Sequence, residues 1–335
     1  PVDDLAIAAV MQHYEALSKV IRIACPEPEV TRRVLNKTET LEAANKCGIR
    51  VPRSTTVFNS MALSELAREI PFPWIVKPSD KETRFEEFTS IRFDSLDAIT
   101  ARYPTPREFE PAMLVQEFCE GVGVGVEMLL HEGECLATFQ HRRLKELPYS
   151  GGVAVTAIAE KPDEALAKVS LRLLKELNWN GVAMVEFRVN PIMREAVLLE
   201  VNGRYWGTVS LPVSAGIDFP LYHWQLTHGE KPSIPVTYRA GMRWRWTSGY
   251  VHRLYRLLAV ARRTPEARAE LKRTMSQFFS DFSPMVKEAM FDPSDPSAAI
   301  NEVAQAVKFL SQHAVSVLRH AAPTPGRMPQ KETRL

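Results

Sequence analysis

The sequence is short of several things that would assign it a class at once. Its four cysteines, Cys25, Cys47, Cys119 and Cys135, are widely spaced and form no Cys-x-x-Cys pair. That spacing excludes a zinc ribbon and a disulfide framework and points to a reducing, cytoplasmic setting. No apolar run approaches the roughly 20 residues a membrane helix needs. The opening PVDDLAIAAVM carries no basic segment of a secretory signal. Net charge is only +2, so no overall attraction to nucleic acid is expected. The eight histidines show no metal-ligand spacing; His223 and His228, five apart around a helix end, read as surface residues. No Ser-His-Asp or Cys-His arrangement is evident, and no internal repeat.

What is present is an ordinary globular composition, 45% hydrophobic and 24% charged over 335 residues, enough for one large or two ordinary domains. Helical patterns are read at Val2–Ser18, Glu29–Cys47 (with Thr31 as a cap), Met61–Ile70, Ser95–Tyr103, Pro162–Leu177 and Phe219–His228. Strands are read at Val20–Cys25, Arg50–Phe58, Pro71–Ser79 and Met113–Phe118, followed by hairpins, so the class is α+β rather than a regular βαβ alternation. Residues 81–93 read as a charged loop that returns as a strand. One helix and one strand cannot bury a core alone, which makes the first 28 residues look like the remnant of a larger N-terminal unit. Between Arg239 and Arg273 ten Lys or Arg stand against Glu266 and Glu270, among Trp244, Trp246, Tyr250 and Tyr255. This stretch reads as a helical extension with a solvated basic face, with an anionic membrane surface or nucleic acid as the other reading. Arg243 and Arg245, at strand spacing, are expected to point into the active site and bind an anionic substrate.

The most informative stretch is a strand pair. GVAMVEFRV (Gly181–Val189) and AVLLEVNGR (Ala196–Arg204) are apolar, and the polar segment Asn190–Glu195 closes them as a hairpin. With the loop centred near Met193, Glu186 stands opposite Glu200, and Asn202 and Arg204 share the face of Glu200. Like charges facing across a ladder are destabilising. A hard divalent cation turns them into a site, since it needs a few carboxylate and carbonyl oxygens plus substrate phosphates. The plainer reading leaves Glu186 facing solvent on an edge strand.

Upstream, Lys37 lies in a helix before the Gly48-to-Pro52 turn, Lys77 ends an apolar strand, and Gln116-Glu117-Phe118 ends another. With the acidic hairpin, these elements resemble the ATP-grasp superfamily, of the carbamoyl-phosphate synthase and biotin carboxylase type. The resemblance runs from Lys37 to Asp218: NKTETLEAANKCGIRVP, WIVKP, VQEF, VEF with LLEVNGR, and SAGIDFP. It implies two α+β subdomains gripping ATP, with a remnant of the preceding domain over 1–28 and the small and linking part over 29–112. The catalytic subdomain would span 113–235, the helical extension 236–320 and a disordered tail 321–335.

By the same resemblance, Lys37 and Lys77 contact ATP phosphates, with adenine also within the reach assigned to Lys77, and Gln116, Glu117, Phe118, Cys119 and Glu120 form the hinge that reads adenine. Glu186, Glu200 and Asn202 hold Mg²⁺ or Mn²⁺. Arg204 steadies the transferred phosphoryl group or the acceptor acid. Among His141, Arg142 and Arg143, which otherwise read as a solvated basic cluster, Arg143 is the one assigned a phosphate or substrate role. Two departures stand out. KPSDKETRFEEF after Lys77 contains no glycine, and the usual ribose-binding acid falls at Val124 and Gly125, leaving Glu120 or Glu127 as substitutes.

The implied reaction joins a carboxylate to an amine through an acylphosphate, with small-molecule substrates and no nucleic acid or membrane partner; a homodimer is compatible with it. The missing glycine loop and the lack of a Glu soon after Arg204 argue against a biotin-dependent carboxylase. A nucleotide-binding module without catalysis is the alternative.

Overall fold

The computed structural model describes residues 1–67, 69–79, 90–149, 151–193, 195–262 and 264–319. The glycine-free loop beyond Ser79 and the expected tail 321–335 lie outside them. The chain opens with α1 (Asp4–Gln12), capped by the Asp3 carboxylate accepting from Ala6 N at 2.7 Å, and α2 (Tyr14–Leu17). The single helix expected from Val2 to Ser18 therefore breaks at His13, which leaves the helical region. The expected strand Val20–Cys25 does not form. Val20 and Ile21 return their N–H groups to the Leu17 carbonyl and stay exposed, because apolar residues alone make no strand without a sheet edge to pair with.

The helix expected from Glu29 to Cys47 is two, α3 (Pro28–Leu35) and α4 (Lys37–Lys46). Asn36 between them is extended, and its Oδ1 accepts from Thr38 N at 3.0 Å and Glu39 N at 3.1 Å. An amide oxygen able to satisfy two first-turn donors starts a new helix more readily than it continues an old one. Thr31, expected as a cap, sits inside α3 and donates to the Pro26 carbonyl at 2.9 Å. The break makes Lys37 the first residue of α4.

Next come β1 (Ser54–Asn59), α5 (Ser60–Leu66), β2 (Trp74–Pro78), β3 (Ile91–Phe93), α6 (Leu96–Arg102) and β4 (Glu108–Glu117). β1 starts four residues later than the expected Arg50, past Pro52, which has no N–H to give a ladder. The four strands form a sheet in the order β1-β4-β2-β3. Trp74, Val76, Met113 and Val115 pack there with Leu63 and Leu66 of α5 and Ile99 of α6. The expected boundary between 112 and 113 falls inside β4.

The larger sheet holds β5 (Val122–His131), β6 (Glu134–Leu147), β7 (Val153–Glu160), β8 (Gly181–Val189), β9 (Ala196–Asn202), β10 (Arg243–Arg245) and β11 (Lys287–Glu288), in the order β11-β10-β7-β6-β5-β8-β9. Around it lie α7 (Glu164–Glu176), α8 (Ser210–Ala215), α9 (Phe219–Thr227), α10 (Thr247–Val260), α11 (Pro265–Ser276), α12 (Phe278–Asp281) and α13 (Ser297–Arg319). Thus β10 and β11, from the stretch expected to be mostly helical, extend the sheet beyond β7.

One face of this sheet packs Val126, Met128, Val185 and Phe187 with Leu173, Leu174 and Leu177 from α7 and its end. The other packs Phe139, Ala157 and Met184 with Leu211 of α8 and Phe219 of α9. β8 is buried on both sides, as its near-continuous apolar pattern requires. On the second face the apolar cover stops at Met184, and the next residues of that parity are Glu186 and Arg188.

Candidate active site

Asn190 closes the hairpin: its Oδ1 accepts from Ile192 N at 2.9 Å and Met193 N at 3.1 Å, and its N–H donates to the Glu195 carbonyl at 2.8 Å. Glu186 stands opposite Glu200 and Met184 opposite Asn202, one residue out of step with the register that the loop starts. Immediately beyond, Phe187 faces Leu198, so Leu199 is an extra residue and the strand bulges beside the acid pair. Asn202 Nδ2 donates to Glu200 Oε1 at 3.0 Å, and Arg204 Nη2 donates to Asn202 Oδ1 at 3.4 Å. The acid, amide and guanidinium expected on one face are hydrogen-bonded in series. Arg204 also pairs with Asp4 at 3.0 Å. Burial works against its charge, and Asp4 outweighs that and holds it charged above its usual range.

Glu186 does not stand alone with Glu200. Arg143 grips it with both terminal nitrogens, Nη1 to Oε1 at 2.8 Å and Nη2 to Oε2. Arg143 donates further to the Gly152 carbonyl at 2.7 Å and to Glu146 at 3.3 Å, and Glu146 takes both nitrogens of Arg188 at 2.8 and 2.9 Å. Arg188 ends on the Gly121 carbonyl at 3.2 Å. A chain of two acids and two arginines, each side chain at most 12% exposed, therefore runs from the acid pair to the loop after β4. Burial disfavours the Arg143 charge, but Glu186 and Glu146 more than compensate and keep it protonated.

The glycines of β5 make room for this chain. A Cβ on Gly123 would stand 2.7 Å from Arg143 Cδ, and one on Gly125 would meet the His141 ring. His141 Nδ1 bonds Glu127 Oε1, and both side chains are essentially inaccessible. Burial, with His141 opposing it, pushes the Glu127 carboxyl above its usual range.

Lys37 docks at the end of β2, the strand that carries Lys77. Lys37 Nζ donates to the Pro78 carbonyl at 2.8 Å and Lys37 N to the Ser79 carbonyl at 3.3 Å, which docks the start of α4 beside Lys77 on β2. α4 also packs on β9, the strand of Glu200. Between the sheets, Glu117 N donates to the Arg53 carbonyl and Phe118 N to the Pro73 carbonyl, both at 2.9 Å. The Glu117 carboxylate pairs with Arg53 at 2.7 Å, and the Arg92 guanidinium lies over the Phe118 ring at 4.4 Å. Cys119 carries the next N–H; burial, then Glu117, pushes its thiol up to about 11, so it is a thiol at neutral pH. Gln116 is buried with Nε2 unpartnered, and Glu120 is exposed.

Comparison with known proteins bears on the fold. A family model described as ATP-grasp in the biosynthetic pathway with Ter operon matches residues 109–250. Among solved structures, biotin carboxylase from Campylobacter jejuni superposes with a TM-score of 0.55 at 12% identity, over 69% of this chain and 54% of that one. N5-carboxyaminoimidazole synthetase from Staphylococcus aureus, solved with ADP, gives 0.55 at 11%, over 70% and 61%. The biotin carboxylase domain of the Hydrogenobacter thermophilus 2-oxoglutarate carboxylase, solved with MgADP and bicarbonate, gives 0.56 at 13%, over 69% and 53%. The chain has the ATP-grasp fold. It spans less than two thirds of each of these proteins, and no curated protein matches the sequence.

Within the ATP-grasp frame several expectations need correction. Arg243 and Arg245 do not face the acid pair. β10 pairs with β7 so that Trp244, opposite Ala157, takes the face of Arg143, and the arginines take the other. Arg243 pairs with Asp281 at 2.6 Å; Arg245 pairs with Glu288 at 2.9 Å and lies over the Phe282 ring at 4.1 Å. Glu127 is internal and bonded to His141, so of the two substitutes for the ribose acid only Glu120 is accessible. His141 and Arg143 are buried rather than part of a solvated cluster. His223, expected at the surface, is 8% exposed. Arg142, by contrast, pairs with Glu160 on the opposite face.

Glu146 and Arg188 are absent from the residues read from the sequence. Arg188 lies two residues from Glu186 on one strand and could have been read from parity. Glu146 could not, because β6 shifts register between Arg143 and Lys145 and again before Glu146, so alternation fails there.

The residues fit a hard divalent cation bridged to phosphates. The donor set of two carboxylates and one amide is all oxygen, and no cluster of three or more His, Cys, Asp or Glu stands among the described residues, so phosphate oxygens and water would complete the shell. The competing charge is Arg143, which such a cation must share Glu186 with.

Proposed function

We propose that the chain is an ATP-dependent ligase that activates a carboxylate as an acylphosphate and joins it to an amine. The observation that carries this reading is the Glu186–Glu200 pair, set face to face across β8 and β9 with Asn202 and Arg204 bonded in line behind it. Lys37 and Lys77 neutralise and aim the phosphates, and the backbone around Glu117 and Cys119 borders the adenine. Glu186, Glu200 and Asn202 would hold Mg²⁺ or Mn²⁺, which would supply charge neutralisation for the phosphates. Arg204 orients the acid with a planar fork suited to carboxylate, while Arg143 holds Glu186 in place with two hydrogen bonds.

In the first step a carboxylate oxygen attacks the γ-phosphorus, the bond to the bridging oxygen breaks, and ADP leaves. In the second, the amine nitrogen attacks the acyl carbon, phosphate leaves with the bonding pair, and the ammonium proton goes to solvent. The side chains contribute positioning and charge compensation, which dominate phosphoryl transfer. ADP and phosphate release that needs both an acid and an amine tests the reading. The bidentate hold of Arg143 on Glu186 favours a second one, a nucleotide-binding module without turnover. ATP binding with no acid-dependent phosphate release from any substrate panel would select it.

A further inference from the structure

A cavity of about 500 Å³ opens at the end of the acid hairpin, between the segment around Arg22, the start of β8 and α9. Arg22, Trp179, Arg204, Tyr205, His223 and Trp224 are among its walls, and no Asp or Glu is found among the described residues that line it. Arg22 donates to the Thr227 carbonyl at 3.2 Å. Arg204 is gripped from outside the lining by Asp4. Burial pushes the His223 imidazole down to about 4, with the amino group of Pro1 adding to the effect, so at neutral pH the ring is uncharged; Pro1, Arg22 and Arg204 all bring positive charge to the wall. The aromatic part is built too: Tyr205 OH lies 3.0 Å from His223 Nδ1, Trp179 Nε1 donates to the Val182 carbonyl at 3.0 Å, and Trp224 packs on His228 at 4.2 Å.

Two features narrow the occupant. Arg204 connects the cavity through Asn202 to Glu200, so an acid resting on it lies at the edge of the phosphoryl site. Size then decides what kind of acid: cavities of roughly 300–1,000 Å³ enclose molecules far larger than bicarbonate or phosphate. An aromatic wall rewards a flat apolar body, worth about 1 kcal/mol beyond area for each good ring pair.

We propose that this cavity is the acceptor site and takes a carboxylic acid with an aromatic body, the carboxylate drawn to Arg204 and Arg22 and the ring set against Tyr205 and Trp224. The assignment rests on the ligase reading above. It is tested by calorimetric titration of the full chain, without nucleotide, with indole-3-acetate, using indole-3-acetamide and bicarbonate as controls. The acid is expected to bind at least about tenfold more tightly than either control, and Arg22→Ala and Trp224→Ala each to weaken it by about tenfold. MgATP binding, titrated separately, stays at the wild-type value in both variants. Equal affinity for the amide, competition by equimolar bicarbonate, wild-type affinity in both variants, or no binding of the acid at millimolar concentration overturns the proposal. If MgATP binds and the acid does not, the acceptor assignment alone falls; if MgATP itself fails to bind, the ligase reading falls with it.

Discussion

Arg143 and Lys145 leave β6 two residues apart and end in different kinds of ion pair. Arg143 meets Glu186 midway along the acid hairpin, where Glu200 faces it across the ladder. Lys145 meets Asp281 at 2.6 Å and Gln277 at 2.7 Å, and Asp281 is closed off by Arg243 at 2.6 Å and the Tyr250 hydroxyl at 3.0 Å. Burial pulls the Lys145 ammonium below its usual range even against Asp281. Arg253, also buried, donates to the Glu146 carbonyl, so α10 braces β6 from below while Glu146 serves the other network above. The difference is between a pair that holds the fold and one that has an alternative anion to meet. A carboxylate completed on every side by protein is structural. One held from one side by a single arginine, with a second carboxylate facing it across the ladder, leaves a place for a cation.

Breaking the closed pair should cost most. Asp281→Asn strands Lys145 and Arg243 and is expected to lower unfolding free energy by about 3–5 kcal/mol, read by urea denaturation; Lys145→Met in the same chain should recover part of it. Glu200→Gln tests the open side. It should lower acid- and amine-dependent ADP release by about 10²-fold or more, while the melting temperature holds or rises slightly because two facing carboxylates become one. Wild-type turnover in that variant would remove the hairpin from the chemistry. Arg143→Met should destabilise by only about 1–3 kcal/mol, less than Asp281→Asn; calorimetry with Mn²⁺ alone should show tighter binding than in wild type, since the cation no longer shares Glu186. A loss as large as that of Asp281→Asn would erase the distinction between the two networks.

The smallest effect concerns pH. Burial depresses His223 from 6.5 to about 4 in the folded chain. Above 6.5 both folded and unfolded forms are neutral and His223 contributes nothing to the pH dependence. Below it the unfolded chain takes a proton that the folded chain refuses until about 4, so stability falls as pH drops through that window. The loss should be about 1–2 kcal/mol after allowance for screening, and His223→Gln should flatten that part of a stability–pH profile.

The acid hairpin was legible in its strands and in the facing of Glu186 and Glu200, but the pairing rests on a bulge at Leu199 that alternation alone does not show: continued from the loop, strict parity would set Glu186 opposite Leu199. The placement of Lys37 was less so. Asn36 reads as one more polar residue in a helix, yet its side chain ends one helix and starts another, a competition decided by two backbone donors. Gly123 and Gly125 lie inside β5, where β6 and β8 side chains fill the space that glycine leaves. Arg243 and Arg245 were assigned the right periodicity and the wrong face, since nothing in three residues tells which side of β7 they will join. Val20–Cys25 shows the converse, a strand-like composition with no strand to pair with.

The alternate glycines of β5 carry no functional group, yet a methyl at position 123 would press on Arg143 and Glu146 together, and one at 125 on the His141 ring. In a map of tolerated substitutions these two blank positions should therefore read as intolerant as the charged residues around them. Part of the specification of this site is written as emptiness, and a search for conserved chemistry alone would pass over it.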